Sequence, residues 1–163
     1  MSHDTMTATA IGFTGTQHGL TLAQETSIRN VLTFTTFSRD ARVFHHGDCV
    51  GADDTAAGIA ESLGYRIECH PPVNPLKRAF TKSYDVTRPE LPYLKRNDAI
   101  VAAATRLVAA PRAPEDHPNQ RRSGTWYTVR RARKKGIEVI ICWPDGTVTR
   151  EAERLPVQEE LLT

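Results

Sequence analysis

The residues of this chain best suited to chemistry fall in short polar loops. The most suggestive is Gly47-Asp48-Cys49-Val50-Gly51, followed by Ala52, Asp53 and Asp54, within VFHHGDCVGADDTAAGIAESLG at residues 43–64. An apolar run at Val43 and Phe44 leads in, and an alanine-rich helical pattern at about residues 53–63 leads out. Strand, glycine turn and helix together aim free backbone N–H groups at an anion. Gly47 and Gly51 suit such a turn, because glycine accepts φ > 0 and leaves room for a ligand. A second helix start, Ser123-Gly124-Thr125, follows Arg121 and Arg122, and a third loop is Thr14-Gly15-Thr16-Gln17-His18-Gly19. The chemistry these loops imply is phosphate binding through N–H groups and hydroxyls. The plain alternative is ordinary turning and capping.

Individual side chains extend the reading. Arg96 is the cation expected on a phosphate, since its planar fork matches that geometry. Its competing role is an ion pair with Asp98, Glu90 or Asp53. The acids inside the motifs are Asp48, Asp53, Asp54 and Asp98. A glycosidase needs a carboxylate at an oxocarbenium-like centre. Asp48 is the best-placed catalytic candidate, with Asp98 beside it. Asp53 and Asp54 equally suit the first turn of a helix, where the dipole favours acids. His45, His46 and His70 stand at strand ends without ligand spacing, so no metal is expected. Cys49 precedes a helix, where a thiol pKa can fall; a small buried hydrophobe is the simpler role. Trp126 and Tyr127 suit either base stacking or the core.

Composition bounds the class. Hydrophobic residues make up 39% and charged residues 25% of the 163, which fits a globular chain with a genuine core. The expectation is a single domain over residues 1–163, with a core at about 8–146 and a polar tail at 147–163. No apolar run reaches the ~18 residues of a spanning helix, so no membrane partner is expected. The first ten residues lack a basic start and an apolar centre, unlike a secretory signal. The three cysteines, Cys49, Cys69 and Cys142, have no metal spacing and cannot all pair, which points to a reduced, cytoplasmic setting. Arg121, Arg122, Arg130, Arg131, Arg133, Lys134 and Lys135 crowd one segment with no acid between them. That run suits a phosphate or nucleic-acid surface, or a solvated helix end whose dipole favours cations.

The elements that must position these loops alternate. Strands are expected at residues 8–13, 42–45, 65–69, 107–110 and 137–142. Helices are expected at 21–37, 53–63, 91–105 and 123–136. Thr21 and Gln24 form a capping box, with Leu22, Ile28, Val31, Leu32 and Phe34 as core positions. Gly64 and Gly136 are C-caps, and Ser123 is an N-cap. Residues 73–89 read as a long loop. Residues 111–122, with Pro111, Pro114 and Pro118, read as a mobile lid. Five strands alternating with four helices imply a doubly wound α/β fold: a mainly parallel five-stranded sheet with helices on both faces. In such sheets ligands sit at the carboxyl ends of strands, near the reversal of strand order. The three polar loops converge there.

Three motifs in order, Gly47-Asp48-Cys49-Val50-Gly51-Ala52-Asp53, then Arg96-Asn97-Asp98-Ala99-Ile100-Val101, then Ser123-Gly124-Thr125-Trp126-Tyr127-Thr128 with Gly136, resemble the SLOG superfamily. That group joins the Smf/DprA DNA-processing proteins and the Lonely Guy cytokinin-activating hydrolases on one Rossmann-like fold. The likeness covers about residues 11–146 and looks most like the short, single-domain members. It implies a pocket for a nucleotide or nucleotide-derived molecule, no separate cofactor, and frequent assembly into dimers or larger oligomers. Lonely Guy hydrolases follow their Gly-Thr with glutamates; here Trp126, Tyr127 and Thr128 stand in that place. The DprA-like Ser-Gly-Ser/Thr with a later Thr fits better.

The leading expectation is therefore a sensor or carrier that binds its ligand through Gly15, Thr16, Gly47, Asp48, Gly51, Asp53, Arg96, Asn97, Ser123, Gly124, Thr125 and Trp126. One alternative is a nucleoside-phosphate N-glycosidase using Asp48 or Asp98. Another is a single-stranded DNA binder using Arg121, Arg122, Arg130 and Arg131. On the phosphate reading, Gly51→Val blocks the ligand and leaves the fold intact.

Overall fold

The computed structural model describes residues 9–34, 42–82 and 84–153. Strand β1 (Thr9–Gly15) leads to α1 (Leu22–Phe34), β2 (Arg42–His46), α2 (Ala52–Ser62) and β3 (Arg66–Cys69). A 3-10 turn, Pro75–Lys77, and a two-residue strand, β4 (Val86–Thr87), precede α3 (Tyr93–Ala103) and β5 (Arg106–Ala110). A second 3-10 turn, Pro118–Gln120, precedes α4 (Gly124–Lys135), β6 (Glu138–Cys142) and β7 (Val148–Glu151).

The strands form one seven-stranded sheet in the order β4-β3-β2-β1-β5-β6-β7. Every pairing is parallel except β6 with β7. The order reverses at β1, so the carboxyl ends of β1 and β5 flank the switch point. Helices α1 and α2 cover one face, over Ile11, Phe13, Phe44, Ile67, Val108 and Ile140. On the other face, α4 brings Trp126, Val129 and Ala132 onto Leu107, Ala109, Val139 and Ile141, with Val101 from α3. None of the described helices is long and apolar enough to cross a membrane.

The doubly wound, mainly parallel architecture is the one the alternation implies, with two edge strands added. β4 falls in the expected loop and β7 in the expected tail. Neither has the length or apolar content that marks a strand in sequence, because neither is buried on both faces. A turn makes β7 possible: Asp145 accepts from the Thr147 N–H at 2.9 Å, the Trp143 N–H donates to the Thr147 carbonyl at 2.9 Å, and the Gly146 N–H donates to the Trp143 carbonyl at 2.9 Å.

Local signals behave as their chemistry dictates. Thr21 and Gln24 close the capping box with two reciprocal 3.0 Å bonds. The same Gln24 amide also donates to the carbonyls of Pro111 (3.0 Å) and Cys142 (3.1 Å), tying α1 to the ends of β5 and β6. Ser123 accepts from Trp126 N–H at 3.3 Å, and Gly136 ends α4 in the left-handed region. Leu22 is a correction. At the first helical position it points outward and is 82% exposed. Residue 8, residues 35–37 and the Phe34 side chain lie outside what is described.

Gly51 has φ 93°, and a Cβ there would stand 2.5 Å from the Gln17 carbonyl oxygen. The obstacle is the backbone of the neighbouring loop, so the expectation that Gly51→Val spares the fold is overturned. Combined clash and left-handed strain, about 1–3 kcal/mol for the strain alone, should lower the melting temperature of Gly51→Val by about 5–10 °C. A thermal melt equal to wild type would show that the loop containing Gln17 gives way freely.

Candidate functional site

The glycine turn after β2 is already filled by an anion of the protein itself. The Gly47 and Cys49 N–H groups donate to Asp53 Oδ2 at 2.9 and 3.4 Å. The first N–H of α2, on Ala52, donates to the Thr16 carbonyl at 3.1 Å. Burial pushes the Asp53 pKa up to about 6, against the opposing pull of the Arg96 charge and those two N–H groups. The turn that reads as a phosphate cradle therefore presents its donors inward.

Arg96 lies beneath this turn and is 2% exposed. Its guanidinium donates to the Gly47 carbonyl, to Asn97 Oδ1 at 2.7 Å, to the His70 carbonyl at 3.3 Å and to Cys49 Sγ at 3.2 Å. Gly47 has no side chain because the space is taken: a Cβ would lie 2.6 Å from Arg96 Nη1. Arg96 thus knots together the ends of β2 and β3. It does so mainly through carbonyls, whereas sequence suggested a phosphate or, alternatively, an ion pair with Asp98, Glu90 or Asp53.

Asp48 has φ 51° and is fully buried. Arg78 donates to its Oδ2 at 2.6 Å and the Thr81 N–H to its Oδ1 at 2.9 Å, so both carboxylate oxygens hold the segment before β4. Asp98 stands elsewhere, between α3 and α4, accepting from Tyr127 Oη (3.0 Å) and paired with Arg131 (3.1 Å). The two expected catalytic acids are not brought together. Of its two readings, base stacking or core, Trp126 takes the core position. It is 2% exposed in the core, with its indole N–H on the Ala113 carbonyl at 3.0 Å. Cys49, Cys69 and Cys142 are free and buried, and burial raises their thiols to about 11, 12 and 12.

The open site is at the other helix start. A cleft of about 300 Å³ lies at the switch point, between the loop after β1 and the start of α4. Gly15, Thr16, Ser123, Gly124 and Thr125 line it, as expected from sequence. Gly47, Asp48, Gly51, Asp53, Arg96, Asn97 and Trp126 do not. Of the N–H groups at the start of α4, that of Trp126 is taken by Ser123 Oγ. Those of Gly124 and Thr125 lack intrahelical partners by position.

Three cations stand on the cleft wall: Arg122, which the sequence marks as a candidate, and Lys77 and Arg112, which it does not. Arg122 belongs to the basic run. Lys77 arrives through the Asn74-Pro75 turn signal, with Asn74 capping Leu76 N–H at 3.0 Å. Arg112 simply follows a strand end, and sits 3.0 Å from His18. Tyr93 completes the wall, and its hydroxyl occupies the space a Cβ on Gly124 would need. No described residue lining the cleft carries a carboxylate. A larger open depression of about 570 Å³, near Arg78, Phe80 and Tyr84, includes none of the expected site residues.

The segment expected to be a lid is anchored at several points. Besides the Gln24 and Trp126 bonds, Glu115 pairs with Arg130 at 3.2 Å and Arg133 at 3.0 Å. Arg133 also grips Glu151 at 2.7 and 2.8 Å. Most of the α4 basic run is thereby matched with acids that are remote in sequence.

The inward anion generates a pH prediction. Asp53 binds its proton more tightly folded (about 6) than unfolded (3.8), so its contribution to stability is largest in acid and declines as pH rises through 6. Asp53→Asn removes that dependence. Between pH 4 and 7 the variant should gain stability relative to wild type by about 2.5 kcal/mol. Denaturant melts across that range measure it, and a pH-independent difference would show that Asp53 is ionised throughout.

No protein-family model matches the sequence, and no curated protein sequence matches it. Solved structures do. The molybdenum cofactor binding protein of Rippkaea orientalis matches with a TM-score of 0.62 at 18% identity, over 85% of this chain and 78% of that one. The molybdenum cofactor carrier protein of Chlamydomonas reinhardtii gives 0.56 at 16%, over 82% and 75%. DNA processing protein A of Streptococcus pneumoniae gives 0.59 at 16%, over 83% of this chain and 50% of that one. At these identities the likeness is one of fold: the chain has the Rossmann-like fold that these three proteins share, and its three motifs resemble those of the SLOG superfamily.

Proposed function

We propose that this chain binds a phosphate-bearing, nucleotide-derived small molecule as a sensor or carrier, with the phosphate at the start of α4. The observation that carries the reading is the cleft itself. Two N–H groups without intrahelical partners, the hydroxyls of Thr16, Ser123 and Thr125, and three cations meet there, with no carboxylate among the described lining residues. Two of the fold neighbours are named for binding or carrying a small cofactor, which favours binding over turnover.

A glycosidase needs an available carboxylate beside the sugar. Asp48 is held at both oxygens and Asp98 lies outside the cleft, so the geometry gives that reaction no support. The DprA likeness keeps nucleic acid as the second reading. The pairing of Arg130 with Glu115 and Arg131 with Asp98 leaves Arg121 and Arg122 as its main cations.

Calorimetry with a nucleoside monophosphate tests the first reading. Arg122→Ala should weaken binding by about 1.5–3 kcal/mol, roughly ten- to a hundredfold, and Arg112→Ala should act in the same direction. Unchanged affinity in both variants would remove the cleft from consideration. A salt titration with single-stranded DNA tests the second. With few unpaired arginines, the slope of log K against log salt should be shallow, about −1 to −2 at roughly −0.7 per neutralised phosphate. A steep slope with high affinity would favour the nucleic-acid reading.

A further inference from the structure

We propose that His45, Glu68 and His70 form a site for a divalent transition-metal ion of the zinc class, closed over by Arg88. The site is separate from the cleft and does not rest on the function proposed above.

Strand register builds it. His45 on β2 is the cross-strand partner of Glu68 on β3. Residue 70 follows two positions after 68 and so returns to the same face. All three residues are buried, and their ligand atoms lie within 4.8 Å of one another. His45 Nδ1 is 3.4 Å from Glu68 Oε2 and 2.9 Å from His70 Nε2. Zinc takes imidazole nitrogen and carboxylate oxygen at about 2.0–2.2 Å in a tetrahedral array, which sets its ligand atoms roughly 3.3 Å apart. The first spacing already meets that requirement. The second needs an opening of about 0.4 Å by a small ring rotation. Two histidines and a glutamate leave a fourth position for water, and burial of the set favours ligation by neutral imidazoles.

Arg88 is the competitor. It donates to Glu68 Oε2 from Nε at 3.1 Å and from Nη2 at 2.8 Å. Its side chain is 51% exposed, whereas the Glu68 side chain is 11% exposed. The arginine can therefore leave for solvent while the carboxylate cannot. Metal uptake exchanges Arg88, and any proton shared by the two rings, for the ion. A cluster whose role is only structural has no such exchange.

The experiment uses tag-free, chelator-stripped protein titrated with zinc against a chromophoric competitor, with cobalt absorption reporting coordination. A single equivalent should bind. His45→Gln and His70→Gln should each weaken it by at least about tenfold to a hundredfold, the cost of losing even an outer partner of a metal site. Arg88→Ala should tighten it by roughly fivefold, as expected for removal of a half-exposed cation. Uptake by Arg88→Ala alone would also support the site, with the arginine closing it fully in wild type. Circular dichroism and thermal melts confirm that each variant is folded, and zinc should raise the melting temperature of wild type but not of the double His45→Gln, His70→Gln variant. The proposal is overturned if wild type and Arg88→Ala both fail to bind at micromolar free zinc. It is equally overturned if the folded double variant binds as tightly as wild type, which would put the ion elsewhere.

Discussion

The carboxylate of Asp53, folded back into the turn that precedes its own helix, is the interaction on which this architecture depends. It satisfies two N–H groups of the glycine turn, and Arg96 lies against the same turn. A buried carboxylate without such partners would be strongly destabilising. With the turn closed from inside, the Asp48 carboxylate is left to hold the segment before β4, and Arg96 can hold the carbonyls of Gly47 and His70. The ends of β2 and β3, and the long connection to α3, therefore share one polar knot.

That knot explains why two helix starts that look alike in sequence play different parts. Both pair glycine with hydroxyl or acidic residues, and both sit at the carboxyl edge of the sheet. The first contains an acid at its second helical position, and that acid takes the donors. The second has Ser123, which caps a single N–H, and Thr125, which carries no charge. An incoming phosphate would find repulsion at one and open donors at the other. The difference comes down to Asp53 against Thr125.

The layout was largely legible in the sequence because it rests on local rules. The Thr21 and Gln24 box, the Ser123 cap and the Gly64 and Gly136 stops depend on residues a few positions apart. The five central strands announce themselves by apolar runs. The site was legible only in part. Gly15, Thr16 and Ser123-Gly124-Thr125 reach the cleft because backbone geometry alone puts them there. The contacts of Arg96 and Asp48 were not legible, because Arg96 reaches the Gly47 carbonyl 49 residues away, Asp48 is held by Arg78 and Thr81 30 and 33 residues away, and burial, which sequence does not display, decided what they touch. Lys77 and Arg112 were overlooked for the converse reason: each is an unremarkable surface cation until the fold turns it toward an anion site. The His45, Glu68 and His70 cluster is invisible to ligand-spacing rules, since cross-strand register supplies the proximity.

The margins of the sheet carry a further consequence. β4 contributes only two residues, and β7 is a largely exposed strand whose Arg150 reaches back to Glu138 and whose Glu151 is gripped by Arg133. Short or charged borders of this kind offer a poor template for another strand. Growth of the sheet from copy to copy is discouraged at both borders, so the exposed backbone there is guarded against the runaway strand addition that leads to fibres.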